Sequence, residues 1–240
     1  MKIGVISDIH GNIEALEAIL EEFASQGVEK IICCGDMIGI GPYSEEVIQK
    51  MIQMKDKLIA VQGNHEGYLL NGLPEKVHDD KRKMSDVERA NHLWTHKQLS
   101  DCSKQFIATL PLEIFIKVED VNIYIVHYPY SELRTFQRMI KVPTSAECQM
   151  LFSQPEADIY LYGHTHSSWQ VTDNNKFYLN FGTVGCPKVA KAAEAGIIEI
   201  GKKQITYQTL EVKYDISHVI QEIKTLAYPM AEKLIEIFYE

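Results

Sequence analysis

Residues 2–12 read Lys2-Ile3-Gly4-Val5-Ile6-Ser7-Asp8-Ile9-His10-Gly11-Asn12. The β-rich apolar run from Lys2 to Ser7 has the length of one buried strand, and it ends in Asp8-Ile9-His10. Asn12 then offers an N-cap for a helix reaching about Gln26, with Glu14, Glu17, Glu21 and Glu22 on the wet side and Gly27 as the stop. The pattern repeats: Lys30 to Cys34 reads as a second strand, Pro42 to about Met54 as a helix, and Lys57 to Gln62 as a third strand. Strand–helix–strand units at this spacing imply parallel strands joined by right-handed crossovers. The fold class is therefore α/β.

Working outward, residues 66–110 change character. They are polar, with a helical stretch expected from about Ser85 to Ala108, a capping box from Ser85 and Glu88, and Leu93, Trp94 and Leu99 as packing positions. This segment reads as a helical insertion over one end of the sheet. After Pro111 the chain is β-rich. Leu112–Val118 and Val121–His127 form an expected hairpin around Glu119-Asp120, followed by a short helix over Pro143–Phe152 and a buried strand over Ala157–Tyr162. Val171 and Lys176 flank an Asp-Asn-Asn turn, and Gly201-Lys202-Lys203 separates two further strands. A final helix is expected from about Ser217 to Phe238, interrupted near Pro229. The reading is one domain over residues 1–240, with an insertion at about 66–110 and a C-terminal helix at about 215–240.

Composition narrows the class of function. The 240 residues are 45% hydrophobic and 24% charged, close to globular averages and unlike disordered, collagenous or coiled-coil chains. Thirty-three acidic against 24 basic residues leave a net charge of -9, so the broad positive footprint of a nucleic-acid binder is missing. No stable nucleic-acid complex is expected. No segment has the 18 or so apolar residues of a membrane span, and the start is too short in apolar residues for a signal peptide. Five cysteines without CxxC spacing argue against disulfides and a thiolate zinc site. A cytoplasmic protein with cysteines buried as small hydrophobes is expected.

The chemistry gathers at the carboxyl ends of the expected strands: Asp8 and His10, Gly35-Asp36, Gly63-Asn64-His65-Glu66, His127, and Gly163-His164-Thr165-His166. Ligands bind at that edge of open α/β sheets, and five of the nine histidines fall there. Two carboxylates, an amide oxygen and four imidazoles suit hard-to-borderline divalent or trivalent metals such as Mn, Fe, Zn, Ni or Mg. Seven donors exceed one tetrahedral ion and suit two ions sharing a carboxylate. Asp8/His10 and His164/His166, two apart, are expected to point to one side of an extended segment.

In this order the five motifs resemble those of the calcineurin-like metallophosphoesterases, over residues 1 to about 187, and within that superfamily its small bacterial phosphodiesterase and diadenosine-tetraphosphatase-like branch. The resemblance implies a four-layer α/β/β/α sandwich and a dinuclear site, with Mn or Fe favoured. It implies that Asp8, His10, Asp36 and His166 hold one metal, and that Asp36, Asn64, His127 and His164 hold the other, with Asp36 bridging. Two ions about 3.5–4 Å apart activate a water as hydroxide and neutralise the phosphate in an in-line displacement. His65 is implied as the residue that contacts phosphate or protonates the leaving oxygen, a role of about 100-fold or more.

Two departures shape the expected substrate. Where the Ser/Thr protein phosphatases and the related symmetrical diadenosine tetraphosphatases carry Gly-Asp-x-x-Asp-Arg-Gly, this chain has Gly35-Asp36-Met37-Ile38-Gly39-Ile40-Gly41. The Asp that would orient His65 and the Arg that would bind phosphate are both absent, which argues against the protein phosphatase branch. His127 is followed by Tyr128-Pro129-Tyr130 where relatives have His-Gly. Tyr128 or Tyr130 is a candidate to stack on a nucleobase, with Arg134, Arg138 and Lys141 on distal phosphates and Lys188 as a further substrate contact. Packing against the insertion is the competing reading for both tyrosines. His92 and His96 lack the Glu of HExxH and read as helix-surface residues. The expected function is hydrolysis of a small phosphodiester or phosphoanhydride, for example a dinucleoside polyphosphate such as diadenosine tetraphosphate. A phosphomonoesterase, a nuclease, or a metal-binding interaction scaffold are the alternatives.

Overall fold

The computed structural model describes residues 1–77, 82–131, 136–186, 192–201, 204–226 and 228–239. The first sixty residues alternate as the sequence predicts: β1 (Lys2–Ile6), α1 (Ile13–Ser25), β2 (Lys30–Cys33), α2 (Ser44–Gln53) and β3 (Leu58–Ala60). α1 starts where Asn12 accepts the Ala15 N–H at 3.1 Å and buries Ala15, Leu16, Ile19 and Phe23, the stripe expected of an amphipathic helix on a sheet. The polar segment contributes α3 (Asn64–Asn71), a small hairpin of β4 (Lys76–Val77) and β5 (Arg82–Lys83), α4 (Asp86–Gln98) and α5 (Asp101–Thr109). Then come β6 (Glu113–Val118), β7 (Val121–Val126), α6 (Ser145–Leu151), β8 (Ile159–Leu161), β9 (Ser168–Asp173), β10 (Lys176–Phe181), β11 (Ala193–Ile200), β12 (Ile205–Val212), α7 (Ile216–Thr225) and α8 (Ala231–Phe238).

Two five-stranded sheets form, ordered β12-β11-β1-β2-β3 and β6-β7-β8-β10-β9. β1, β2 and β3 pair in parallel, while β11 adds antiparallel to β1. Ile3, Val5 and Ile32 of the first sheet share one buried cluster with Ile123, Ile159 and Leu179 of the second, so the sheets pack face to face. The outer face of the first sheet buries Leu16, Val47 and Ile107 of α1, α2 and α5; the outer face of the second buries Cys148 and Leu151 of α6. That is helix, sheet, sheet, helix: the four-layer sandwich.

Two local differences and one expected break have physical causes. The helix expected over residues 85–108 is two helices. Leu99 leaves helical geometry (ψ 129°) and turns into the core at 3% exposure, and Ser100 caps α5 by accepting the Ser103 N–H. The C-terminal helix is split near Pro229 as the sequence predicts, with α7 ending at Thr225 and α8 starting at Ala231. Buried Tyr228 donates its hydroxyl hydrogen to the Gly41 carbonyl (3.0 Å), and Met230 takes a left-handed φ of 70° before α8 begins. Cys102 is exposed, unlike the other four cysteines, because it falls on the wet side of α5.

Candidate functional site

The strand-end residues converge at the edge where β1, β2 and β3 end beside the ends of β7 and β8. Asp8 Oδ1, His10 Nε2, His166 Nε2 and Asp36 Oδ2 form one group: His166 to Asp8 is 3.2 Å, His10 to His166 3.0 Å, His10 to Asp8 3.7 Å and His10 to Asp36 3.8 Å. Asp36 Oδ2, His127 Nε2, His164 Nδ1 and Asn64 Oδ1 form a second: His127 to Asp36 is 3.2 Å, His164 to His127 3.2 Å and His164 to Asn64 2.9 Å. Asp36 Oδ2 belongs to both. Donor atoms about 3–4 Å apart are spaced as around an ion that each would reach at roughly 2.0–2.2 Å. Asp8 Oδ1 is fully buried and accepts no hydrogen bond, a costly state for a carboxylate without a cation. The oxygen and nitrogen donors and this orphaned oxygen fit two divalent ions.

The electrostatics agree. Burial works against the Asp8 and Asp36 charges, but the surrounding imidazoles outweigh it and hold both carboxyls well below the usual range. Burial opposes the His127 charge, yet Asp36 lifts that ring to about 9. Burial and the His127 charge push His164 down to about 3.

The backbone that delivers these groups is not extended. Asp8, His10, Asp36, His164 and His166 all have left-handed φ, between +48° and +68°. The expectation that alternate residues face one way on an extended segment is corrected: each pair converges because both members turn out of the strand direction. The enforcing contacts are specific. The Thr183 hydroxyl donates to the Asp8 carbonyl (2.8 Å), the Asn180 amide donates to the Gly163 carbonyl (2.8 Å), and Asp8 Oδ2 accepts the His164 N–H (3.0 Å).

Glu66 stands under the Asp36 loop. Its Oε2 accepts the N–H groups of Asp36 (2.9 Å) and Gly63 (2.7 Å), and its Oε1 those of Met37 (2.9 Å) and Ile38 (3.2 Å). Burial and the Asp36 charge push its pKa up, while these donors act the other way. Glu66 closes the Gly63-Asn64-His65-Glu66 motif, and nothing in the amino-acid sequence gives it a role there. The structure makes it the clamp joining the loops that follow β2 and β3.

His65 donates its backbone N–H to Asp36 Oδ1 (2.8 Å) and holds Nε2 4.0 Å from Asp36 Oδ2. Its buried Nδ1 has no hydrogen-bond partner and lies against Gly39 (φ +82°), where any Cβ would collide with the ring. The ring is confined by packing: His10 at 4.7 Å, His92 at 4.9 Å and Tyr68 at 5.6 Å between centroids. His92 is thus corrected from a helix-surface residue to a buried one, 8% exposed, pressed on His65. Burial and the neighbouring His96 lower its pKa to about 4.

Outside the metal-ligand candidates, the expected substrate contacts separate. Tyr128 is fully buried among the aromatic residues over the second sheet, and its hydroxyl accepts the Ile140 N–H (2.9 Å). It has no face open to a base, which removes the stacking reading, and it packs on residues of the second sheet and α6 rather than on the insertion. Tyr130 is half-buried and stacks on Phe136 (4.6 Å), which stacks on His164 (5.1 Å). Arg134 and Lys188 lie outside the described residues. Lys141 lines a cleft of about 490 Å³ that opens over His10, Asp36 and His65. Cys186, expected from the sequence to be a small hydrophobe, is buried with Sγ within 4.8 Å of ligand atoms of His10 and His166.

The family model described as the calcineurin-like phosphoesterase superfamily domain matches residues 1–203. The chain belongs to the calcineurin-like phosphoesterase superfamily. It is a phosphoester hydrolase of that superfamily, whose members work with divalent metal ions on phosphorylated substrates. Phosphodiesterase MJ0936 of Methanocaldococcus jannaschii is 24% identical, over 88% of this chain and 100% of its own length. A symmetrical bis(5'-nucleosyl)-tetraphosphatase of Psychromonas ingrahamii is 27% identical over 56% of this chain and 46% of its own. The crystal structure of hypothetical protein PH1004 of Pyrococcus horikoshii shares the fold across 100% of this chain and 98% of its own, with a TM-score of 0.82 at 20% identity. Among the described residues no helix is long and apolar enough to cross a membrane.

Proposed function

We propose that this phosphoesterase cleaves a small phosphodiester or phosphoanhydride at a dinuclear centre, with Asp8, His10, Asp36 and His166 holding one ion and Asp36, Asn64, His127 and His164 the other. The observation that carries the reading is Asp36 Oδ2, set 3.2 Å from His127 Nε2 and 3.8 Å from His10 Nε2 and so common to both donor groups. Mn or Fe is favoured, since oxygen and imidazole donors dominate. Two such ions supply a water deprotonated near neutral pH and positive charge against the phosphate oxygens. The chain's own residues do the rest. Asp36 and Asp8 anchor the phosphate's counter-charge, Glu66 fixes the Asp36 loop, and His65, which lines the cleft with Nε2 4.0 Å from Asp36 Oδ2, contacts the phosphate or delivers the proton to the leaving oxygen.

A nucleotide substrate, such as a dinucleoside polyphosphate, is supported by the name of the tetraphosphatase relative and by the cleft, where Lys141, Lys233 and Arg82 lie beyond the ligand groups. The test is hydrolysis of bis-p-nitrophenyl phosphate and p-nitrophenyl phosphate with added Mn²⁺, wild type beside Asp36→Ala. Diester turnover that falls at least 1,000-fold in the variant is expected. Turnover of the monoester alone moves the reading to a phosphomonoesterase, and none on either substrate removes it.

A further inference from the structure

The cleft has a wall that the superfamily domain does not supply. Met230, Lys233, Leu234, Ile237 and Phe238 line it, all from α8 or its N-cap and all beyond residue 203, where the family match ends. Their spacing of 3, 1, 3 and 1 residues places them on one face of a helix. That face is fixed against the site. The Phe238 ring lies 6.3 Å from the ring of His166. The Tyr239 hydroxyl donates to the Gly185 carbonyl (3.1 Å), Tyr228 donates to the Gly41 carbonyl, and the Asn91 amide of α4 donates to the Pro229 carbonyl (3.1 Å). The wall is therefore rigidly held beside the first donor group.

Its chemistry is amphipathic. Leu234 and Phe238 are buried behind it, but Ile237 keeps 40% of its surface exposed; Ile40, packed in the same cluster as α8, and Met139 line the cleft as well. Apolar area left open to a catalytic cleft is stabilised when an apolar group covers it. Lys233, one turn from Ile237, adds a cation at the same face.

We infer that the α8 face is the subsite for the organic group of the substrate, and that it selects phosphoesters of alcohols that carry a flat aromatic ring, such as aryl alcohols or nucleosides, over those of small alkyl alcohols. The inference rests on the phosphodiesterase reading for its setting, but binding tests it separately. On the Mn²⁺-loaded protein, phenylphosphonate and methylphosphonate present the same oxygens to the metals and differ only in the group that would meet α8. Calorimetry is expected to give phenylphosphonate at least tenfold the affinity of methylphosphonate. Ile237→Asn, neutral and at a position exposed enough to tolerate the change, is expected to reduce that ratio to about twofold with methylphosphonate unchanged, and Ile237→Ala to fall between. Equal affinities in the wild type, or a ratio that survives Ile237→Asn, overturn the subsite. So does a lack of binding by either phosphonate.

Turnover separates this from the parent reading. Bis-p-nitrophenyl phosphate and the p-nitrophenyl ester of methyl phosphate both carry an aryl group able to reach α8, so their turnover tests the phosphodiesterase reading alone, and both are expected to be hydrolysed. If neither is hydrolysed while the phosphonates still discriminate, the phosphodiesterase reading falls and the subsite stands.

Discussion

The floor and the mouth of this cleft are built on opposite plans. On the floor, every donor follows the end of a strand by one to five residues, and backbone and side-chain hydrogen bonds tie the loops together. At the mouth, the residues come from α4, from α8 and from the stretch after Tyr130, brought together by helix packing between segments more than a hundred residues apart, as in the Asn91–Pro229 bond. The floor is set by local geometry and is specific for chemistry; the mouth is set by tertiary contacts and is free to vary with substrate.

The sharpest way to break the comparison is to loosen the floor without touching a donor. Glu66→Gln keeps the volume but turns one acceptor oxygen, now serving two N–H groups, into an NH₂. Buried donors left unpaired cost about 1–3 kcal/mol apiece, more where the lost acceptor was charged. Denaturant unfolding is expected to show a loss of about 3 kcal/mol, and metal analysis a fall in bound metal, because the Asp36 loop is released. Retention of both would make Glu66 dispensable.

Next comes the boundary between the regions. His65→Ala is expected to lower kcat about 100-fold, equivalent to about 2.7 kcal/mol of barrier. His92→Ala removes one side of the packing around His65 and should lower kcat several-fold with KM little changed, while His92→Phe, which keeps a ring there, restores most of it. An equal loss for Ala and Phe would show that His92 acts by other means than confinement.

The smallest effect lies at the rim. Arg82 holds Glu88 through a two-pronged pair of 2.6 and 2.7 Å, which lowers the Glu88 pKa to about 2. A depressed carboxyl contributes stability that is fully present above its unfolded value, about 4.5, and is lost as pH falls toward 2. The pair is largely solvent-exposed, so under about 1 kcal/mol is expected, read as the difference in acid unfolding between wild type and Arg82→Ala.

These contrasts explain what the amino-acid sequence could say. The floor was legible because its donors are chemically rare residues placed soon after strands whose apolar runs are themselves readable, and Asn12 and Gly27 mark the first crossover. Glu66 was visible as a letter but not as a clamp, since its partners are backbone N–H groups that no residue type advertises. Tyr128 misled because its position beside His127 says nothing of which way the ring turns; its burial is decided by Tyr162 and the rest of the aromatic cluster. His92 and the α8 face stayed hidden because a helix's neighbour is chosen by packing across the fold. The break at Leu99 is a local preference for helix overruled by the core.

The five left-handed residues at the floor carry a further consequence. A non-glycine residue in that region costs on the order of 1 kcal/mol or more, and five sit together where Asp8, His10, Asp36, His164 and His166 are needed. Asp and His tolerate that region better than most residues with a side chain, but glycine would sit there at less cost. Judged only by how well it survives heat, this chain would improve by giving up its chemistry, so a laboratory lineage propagated for ruggedness alone should shed these side chains first.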